Sequence, residues 1–142
     1  TNLALIYVHR ENRLAQAASY IKALQSRNWA QTRKDGHIDQ KIQAGPHQIV
    51  QHWHEYAAMD HLFEARFSTL TQHKIAIEYR DMFTAGFNAR ICNFLGLPPA
   101  PEMRSPLIKQ GANRILDRFQ HPAPIRDYFT ALGHSAWLEE EI

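Results

Sequence analysis

The feature that most constrains this chain is an apolar run near its start, LALIYV, from Leu3 to Val8. The run does not alternate between apolar and polar residues, which is typical of a strand covered on both faces, as in a parallel sheet. A second candidate strand, KIAIEY, runs from Lys74 to Tyr79. Two parallel strands leave two open sheet edges and are marginal by themselves. We therefore expect further strands, either from other chains or from a longer chain of which this one, beginning at Thr1, is a part.

Between and beyond these strands, apolar residues recur with helical spacing. Asn12 is a candidate N-cap for the first helix, and Pro46 suits the first turn of the second. Gly96 is placed to end the third helix, and the four prolines that follow it exclude a regular element before the fourth. The predicted helices cover residues 12–27, 46–70, 83–95, about 110–119 and about 123–132.

The second predicted helix has the strongest apolar stripe, which we expect to face a core. The stripe consists of Ile49, Trp53, Tyr56, Phe63 and Phe67. The same helix carries three histidines, His47, His54 and His61. Their seven-residue spacing corresponds to about 10.5 Å along a helix, which is too far for two ligands of one zinc ion. We therefore predict no metal site.

Composition and charge narrow the class of protein. Of the 142 residues, 44% are hydrophobic and 21% are charged, which is typical of a globular domain. The formal net charge of +2 and the scattered basic residues give no reason to expect nucleic-acid binding. No apolar run is long enough for a transmembrane segment, and the single cysteine, Cys92, fits a reducing compartment as an inert buried thiol. We predict a cytoplasmic protein, and we interpret Glu139 to Glu141 as a solubilising tail.

The turn between the first strand and the first helix is the candidate ligand site. Ligands of open α/β sheets sit beyond the carboxyl ends of strands, and a helix N-terminus there offers free N–H groups to an anion. Arg10 adds a bidentate phosphate donor, and Ser19 follows about two turns into the helix, among small alanines. The alternative is that Arg10 forms a surface salt bridge and that the alanines only pack against a neighbouring helix.

The sequence of this region resembles a known family. IYVHRENRLAQAASYIKALQSRNW is similar to the 3′-phosphate-binding strand and helix of sulfotransferases that use 3′-phosphoadenosine 5′-phosphosulfate (PAPS), closest to the bacterial trehalose-sulfotransferase-like branch. The resemblance implies that Arg10 and Ser19 bind the 3′-phosphate of the donor. IAIEYRDM, with a later helix ending in ICNFLGLP, resembles the family's next strand and helix and implies that Tyr79 lies near the adenine. Arg80 stands where the family usually has an acidic residue.

A third stretch, LIKQGANRILDRF, is similar to the C-terminal segment that closes over the nucleotide in this family. The resemblance implies nucleotide contacts from Lys109, Gln110 and Gly111. The implied fold class is α/β: the C-terminal part of a P-loop-like sulfotransferase fold, mostly helical, with about two parallel strands. Residues 1–142 are then the C-terminal part of a single sulfotransferase domain.

The family's N-terminal phosphosulfate-binding loop has no counterpart here, because no G-x-x-x-x-G-K occurs in the sequence. We therefore assign no catalytic residue and expect the chain alone to be inactive. The full-length protein is expected to move a sulfuryl group from PAPS, without a metal, to a small-molecule or glycan hydroxyl, with a carbohydrate or glycolipid as the leading acceptor. Trp29 is a candidate to line the acceptor pocket. The resembling branch also implies a possible homodimer. The alternative is a non-catalytic helical interaction module derived from a sulfotransferase.

Overall fold

The computed structural model describes residues 3–32, 40–107, 109 and 111–142. The chain divides into two compact units. The strand unit consists of Thr1–Glu11 and Ala57–Arg104, and the helical unit consists of Asn12–Tyr56 and Ser105–Ile142. The assignment of the whole chain to one sulfotransferase domain stays a prediction.

The strand unit is built on two parallel strands, β1 (Ala4–His9) and β2 (His73–Glu78). Their six residue pairs run without a shift, from Ala4 opposite His73 to His9 opposite Glu78. The predicted mixed α/β class with two parallel strands is therefore confirmed. Because parallel strands end on the same side of a sheet, the residues that follow them emerge next to each other.

The first helix, α1 (Arg13–Ser26), belongs to the helical unit and starts where its cap predicts. The Asn12 side chain accepts a hydrogen bond from the Ala15 N–H at 2.8 Å, and its amide donates to the Trp137 carbonyl at 3.0 Å. Ala15, Ala17 and Ala18 of α1 are fully buried, so they pack against neighbouring segments of this unit.

The long helix α2 (Pro46–Thr69) has the predicted bounds, but its apolar stripe faces two environments. Ile49 is fully buried in the helical unit. Phe63, in the strand unit, is 54% exposed, so the prediction that the whole stripe faces a core is wrong. In the strand unit, this side of α2 lines an open cavity of about 450 Å³ together with β1.

The third helix, α3 (Phe87–Leu95), ends as predicted at Gly96, whose positive φ of 67° is a conformation that favours glycine. Its predicted start at residue 83 is wrong. Residues 79–83 form a short 3₁₀ helix instead, because the Glu78 carboxylate caps it by accepting the Arg80 N–H. Cys92 is buried in α3, as expected of an inert thiol.

The C-terminal part of the helical unit departs most from prediction. The helix expected near 110–119 is only a 3₁₀ turn at Ile115–Arg118, whereas α4 (Pro122–Ala131) forms as predicted. A further 3₁₀ turn spans Ser135–Leu138. The last residues then pair in antiparallel fashion with the segment before Ile115, through a bridge between Arg114 and Glu140. This pairing buries Glu141, so the solubilising-tail interpretation is wrong for that residue.

The core of the helical unit contains residues from α1, α2, α4 and the two 3₁₀ turns. Its buried hydrophobic side chains are Leu14, Ala15, Ala17, Ala18, Ile21, Ile42, Ile49, Ile115, Leu116, Phe119, Ile125, Phe129 and Leu138. Trp53 and Trp137 pack against this core as partly buried residues. None of the described helices combines the length and the apolar character needed to cross a bilayer.

Replacing Phe129 by alanine should destabilise the protein by about 3–5 kcal/mol, because the ring is fully buried and its loss leaves a cavity beside Trp53 and Trp137. Denaturant unfolding measures the change in free energy. Leu132→Ala is the matched control, since Leu132 directly follows α4 and is 46% exposed. Equal losses in the two variants would contradict the assigned core.

Candidate functional site

Two of the predicted nucleotide-binding residues lie together at the carboxyl ends of the strands. Arg10 follows β1 and Tyr79 follows β2. The Arg10 guanidinium carbon lies 4.3 Å from the centroid of the Tyr79 ring, which is a cation–π contact. The register of the strands causes this contact, because their last residues, His9 and Glu78, are direct partners.

The Glu78 carboxylate fastens the loop after β1 to the end of β2. One oxygen accepts the Glu11 N–H at 3.2 Å, and the other accepts the Arg80 N–H. The Arg80 side chain also pairs with the Glu11 carboxylate at 3.4 Å and with the Glu78 carboxylate at 3.5 Å, so this arginine contacts both neighbouring acids. We call these five residues, Arg10, Glu11, Glu78, Tyr79 and Arg80, the strand-end cluster. It holds the Arg10 guanidinium over an aromatic face at the sheet edge where ligands of α/β folds bind.

Ser19 lies in the helical unit, on α1. Its hydroxyl donates to the Ala15 carbonyl at 2.9 Å, a local bond that serine often makes within helices. The same oxygen lies 3.4 Å from Nη1 of Arg118, which donates to it. The residue as a whole remains exposed.

Lys109 lies near Glu141 and Gly111 lies near Arg118, the residue that also contacts Ser19. The Lys109 ammonium lies 2.9 Å from the Asn113 side-chain oxygen and 3.4 Å from the Glu141 carboxylate. A Cβ atom on Gly111 would lie 2.9 Å from Nε of Arg118, so only glycine leaves room for this arginine. Gln110, the remaining predicted contact, lies outside the described residues.

Arg118 joins these residues to one another. Its Nε donates to the Ala112 carbonyl at 2.8 Å, and its Nη2 donates to the Glu141 carboxylate at 2.9 Å. The Arg118 side chain is 3% exposed and that of Glu141 is 0% exposed, so this is a buried ion pair. We call Ser19, Lys109, Gly111, Arg118 and Glu141 the Arg118 cluster.

Sequence reasoning missed both members of the buried pair. Arg118 lies within LIKQGANRILDRF, but the resemblance drew attention only to the start of that stretch. A usable signal was its position between the apolar residues Leu116 and Phe119, where an arginine must find a partner if the segment is buried. Glu141 gave no such signal, because three successive glutamates are typical of a solvated end.

The chemistry of the Arg118 cluster suits an anion. It combines an arginine, a lysine and a serine hydroxyl with one carboxylate, which leaves an excess of positive charge. Hydroxyl, ammonium and guanidinium groups are the usual donors to phosphate oxygens. Within the described residues, no three side chains of histidine, cysteine, aspartate or glutamate are placed to hold a metal ion.

A separate aromatic group lies on the surface of the helical unit. Tyr20 lies at its centre, with ring-centroid distances of 5.8 Å to Trp29, 4.9 Å to His52 and 5.9 Å to Tyr56. Trp29 is 64% exposed, whereas partial burial raises the pKa of Tyr56 to about 12, with smaller contributions from Tyr20 and Glu55. The group therefore offers exposed aromatic faces beside a neutral phenol.

Comparison with known proteins gives one family match. The family model described as Stf0 sulphotransferase matches residues 1–120 of the chain. A search of curated proteins and a search of solved structures find no match.

Gly111→Ala should destabilise the protein by roughly 1–3 kcal/mol, because the new methyl group meets a buried arginine that hydrogen bonds hold in place. Gly45→Ala is the matched control, since nothing lies within 4 Å of a Cβ built at that position. Denaturant unfolding of both variants measures the difference. A Gly111 variant as stable as the Gly45 variant would show that the close approach to Arg118 is wrong.

The shift at Tyr56 predicts a pH-dependent stability. The folded protein holds the Tyr56 proton more tightly than the unfolded chain, whose tyrosine pKa is near 10. This contribution to stability is complete below pH 10 and is lost as the pH rises towards 12. Unfolding free energies measured at about pH 9 and about pH 11 should therefore fall more in the wild type than in Tyr56→Phe. The same fall in both proteins would contradict the shift.

Proposed function

Because the chain belongs to the Stf0 sulphotransferase family, we propose that it supplies the nucleotide side of the donor site in an enzyme that uses PAPS. The full-length enzyme would move the sulfuryl group of PAPS to a hydroxyl acceptor. The bond between the sulfur and the bridging phosphate oxygen breaks, a bond between the sulfur and the acceptor oxygen forms, and a base takes the acceptor proton. We assign no residue of this chain to that base, and we expect the chain alone to be inactive.

The observation that carries the proposal is the convergence of Ser19, Lys109 and Gly111 on Arg118. The sequence places Ser19 far from the other two, and the resemblance marked all three as nucleotide contacts. Their charge and donor groups fit a phosphate, as a 3′-phosphate site requires. We propose that Ser19 and Lys109 donate to the phosphate, while Gly111 leaves space for the arginine behind them.

The strand-end cluster supports the same proposal through its own chemistry. The Arg10 guanidinium carries in-plane N–H donors that match phosphate oxygens, and its contact with Tyr79 restricts the motion of a long side chain. A tyrosine ring at a strand end also offers a flat apolar face suited to a purine. We propose that Arg10 contacts the 3′-phosphate and that Tyr79 lies near the adenine.

The aromatic group of the helical unit supports a carbohydrate as the acceptor. Sugar-binding surfaces combine aromatic faces, which pack against C–H groups, with a few polar groups that fix orientation. Here Trp29 and Tyr20 supply the faces, and His52 with the neighbouring Glu55 carboxylate, at 3.0 Å, supplies polar atoms. We propose a glycan or glycolipid hydroxyl as the acceptor on this basis.

A second candidate function is a non-catalytic interaction module. It is favoured by the exposed apolar surface of the strand unit, where Leu62 is 69% exposed and Phe63 lines the cavity beside β1. Exposed apolar surface of this kind is often covered by another protein. A module of this type would keep the fold but bind no nucleotide, so nucleotide affinity distinguishes the two functions.

Arg10→Ala and Ser19→Ala should each weaken the binding of 3′-phosphoadenosine 5′-phosphate to the full-length protein by roughly 1–3 kcal/mol, the range for one hydrogen bond to a charged phosphate. This corresponds to a loss of affinity of about 5-fold to 150-fold, which calorimetric titration resolves. Adenosine 5′-phosphate, which lacks the 3′-phosphate, should show no comparable loss.

Arg126→Ala is the control for a change in net charge, because Arg126 is exposed and pairs only with the neighbouring Asp127 among the contacts of the described residues. Its affinity for the bisphosphate should stay close to that of the wild type. Unchanged affinity in both the Arg10 and the Ser19 variants would remove these residues from the donor site.

A further inference from the structure

Arg118 is not among the predicted nucleotide contacts, yet it contacts Ser19 and lies close to Gly111, two residues that are. We propose that Arg118, held in place by Glu141, is the positioning residue that sets the Ser19 hydroxyl and the Lys109 ammonium for the 3′-phosphate. The inference rests on the proposed function, because it concerns the geometry of that same donor site.

The guanidinium of Arg118 links three separate segments of the helical unit. Nη1 donates to Ser19 on α1 at 3.4 Å, Nε donates to the Ala112 carbonyl at 2.8 Å, and Nη2 donates to Glu141 at 2.9 Å. The planar guanidinium has donors pointing in fixed directions, so one side chain can hold all three segments at once. The loop that carries Lys109 and Gly111 is thereby fastened to the helix that carries Ser19.

Glu141 extends this arrangement to the lysine. The same carboxylate oxygen that accepts from Arg118 lies 3.4 Å from the Lys109 ammonium. Asn113 adds a second acceptor for Lys109 at 2.9 Å, and its backbone carbonyl accepts the Glu141 N–H at 3.3 Å. A flexible lysine held by two acceptors loses much of its rotamer freedom before any ligand binds, which lowers the entropic cost of binding.

The burial of the pair argues against Arg118 as a direct ligand contact. At 3% exposure its side chain has almost no surface for a phosphate, whereas Ser19 is exposed and the Lys109 side chain is 21% exposed. Stability alone is a poor reason for a buried ion pair, because well-packed apolar residues often stabilise a fold as well or better. We attribute the arginine at this position to its role, together with Glu141, in holding the side chains of Ser19 and Lys109.

The hydrogen bonds of Ser19 show how positioning would act. A serine hydroxyl has one O–H and two lone pairs. Here the O–H is directed to the Ala15 carbonyl, and Arg118 donates to the oxygen. When a phosphate binds, rotation about the C–O bond directs the O–H to it, while the arginine keeps the oxygen in place and polarises the O–H.

Arg118→Lys in the full-length protein tests this role, because it keeps the positive charge but cannot make the three-way contact. The readout is the ratio of the dissociation constant of adenosine 5′-phosphate to that of 3′-phosphoadenosine 5′-phosphate. We expect this ratio to fall by about tenfold, the factor that corresponds to one charge-assisted hydrogen bond. A merely structural role would lower the unfolding temperature without changing the ratio.

Arg114→Lys is the matched control. Arg114 immediately precedes the same 3₁₀ turn, is 46% exposed and pairs with Glu139 at 3.3 Å, so its substitution should leave the ratio unchanged. Glu141→Asp keeps the buried charge but shortens the side chain, and it should lower the ratio in the same direction. If Arg118→Lys does not fold, Glu141→Asp tests the same ion pair through its acidic member.

A double-mutant cycle shows whether Arg118 acts through Ser19. If it does, Arg118→Lys combined with Ser19→Ala should lower the ratio by less than the two single losses combined, because only the part exerted through Lys109 adds to the loss from Ser19→Ala. Additive losses, or an Arg118→Lys protein with the wild-type ratio, would overturn the positioning role alone. A higher ratio in Glu141→Asp would also overturn the positioning role, because it would show that the Glu141 carboxylate competes with the phosphate. A wild type without preference for the 3′-phosphate would overturn the donor-site proposal as well.

Discussion

The buried ion pair between Arg118 and Glu141 is the interaction on which the helical unit depends. Removing two charges from water is costly, and the cost is offset only when each charge finds close partners in good geometry. Here Glu141 reaches Arg118 because the C-terminal segment pairs with the segment before Ile115, and the close approach of Arg118 leaves little room for a Cβ atom at position 111. The core forms around the same turn, because its neighbours Ile115, Leu116 and Phe119 are buried.

In the strand unit, the comparable constraint is the register of two parallel strands. A shift by one residue would turn every side chain of β1 to the opposite face and would move Arg10 away from Tyr79. The unshifted pairing from Ala4 and His73 onwards therefore fixes the cation–π contact at the strand ends. Glu78 reinforces it by accepting hydrogen bonds from the backbone of both post-strand segments.

Much of this structure could be predicted from local sequence. The strands, the caps at Asn12 and Gly96 and the bounds of α2 follow from patterns within a few residues, and they are confirmed. The helix expected near 110–119 and the solvated state expected of Glu141 were wrong, because long-range pairing decides both: Glu141 contacts Arg118 across 23 positions, and Arg118 contacts Ser19 across 99. Binding roles for the site residues came only from resemblance to a family, and they stay predictions.

The central proposal is that the Arg118 cluster contacts a nucleotide with a 3′-phosphate. Hydrogen–deuterium exchange of the full-length protein, with and without 3′-phosphoadenosine 5′-phosphate, tests it directly at the backbone. The account predicts slower exchange in the peptides that span residues 109–113, and a much smaller effect with adenosine 5′-phosphate. Binding that slows exchange only elsewhere in the protein, or equally with both nucleotides, would contradict it.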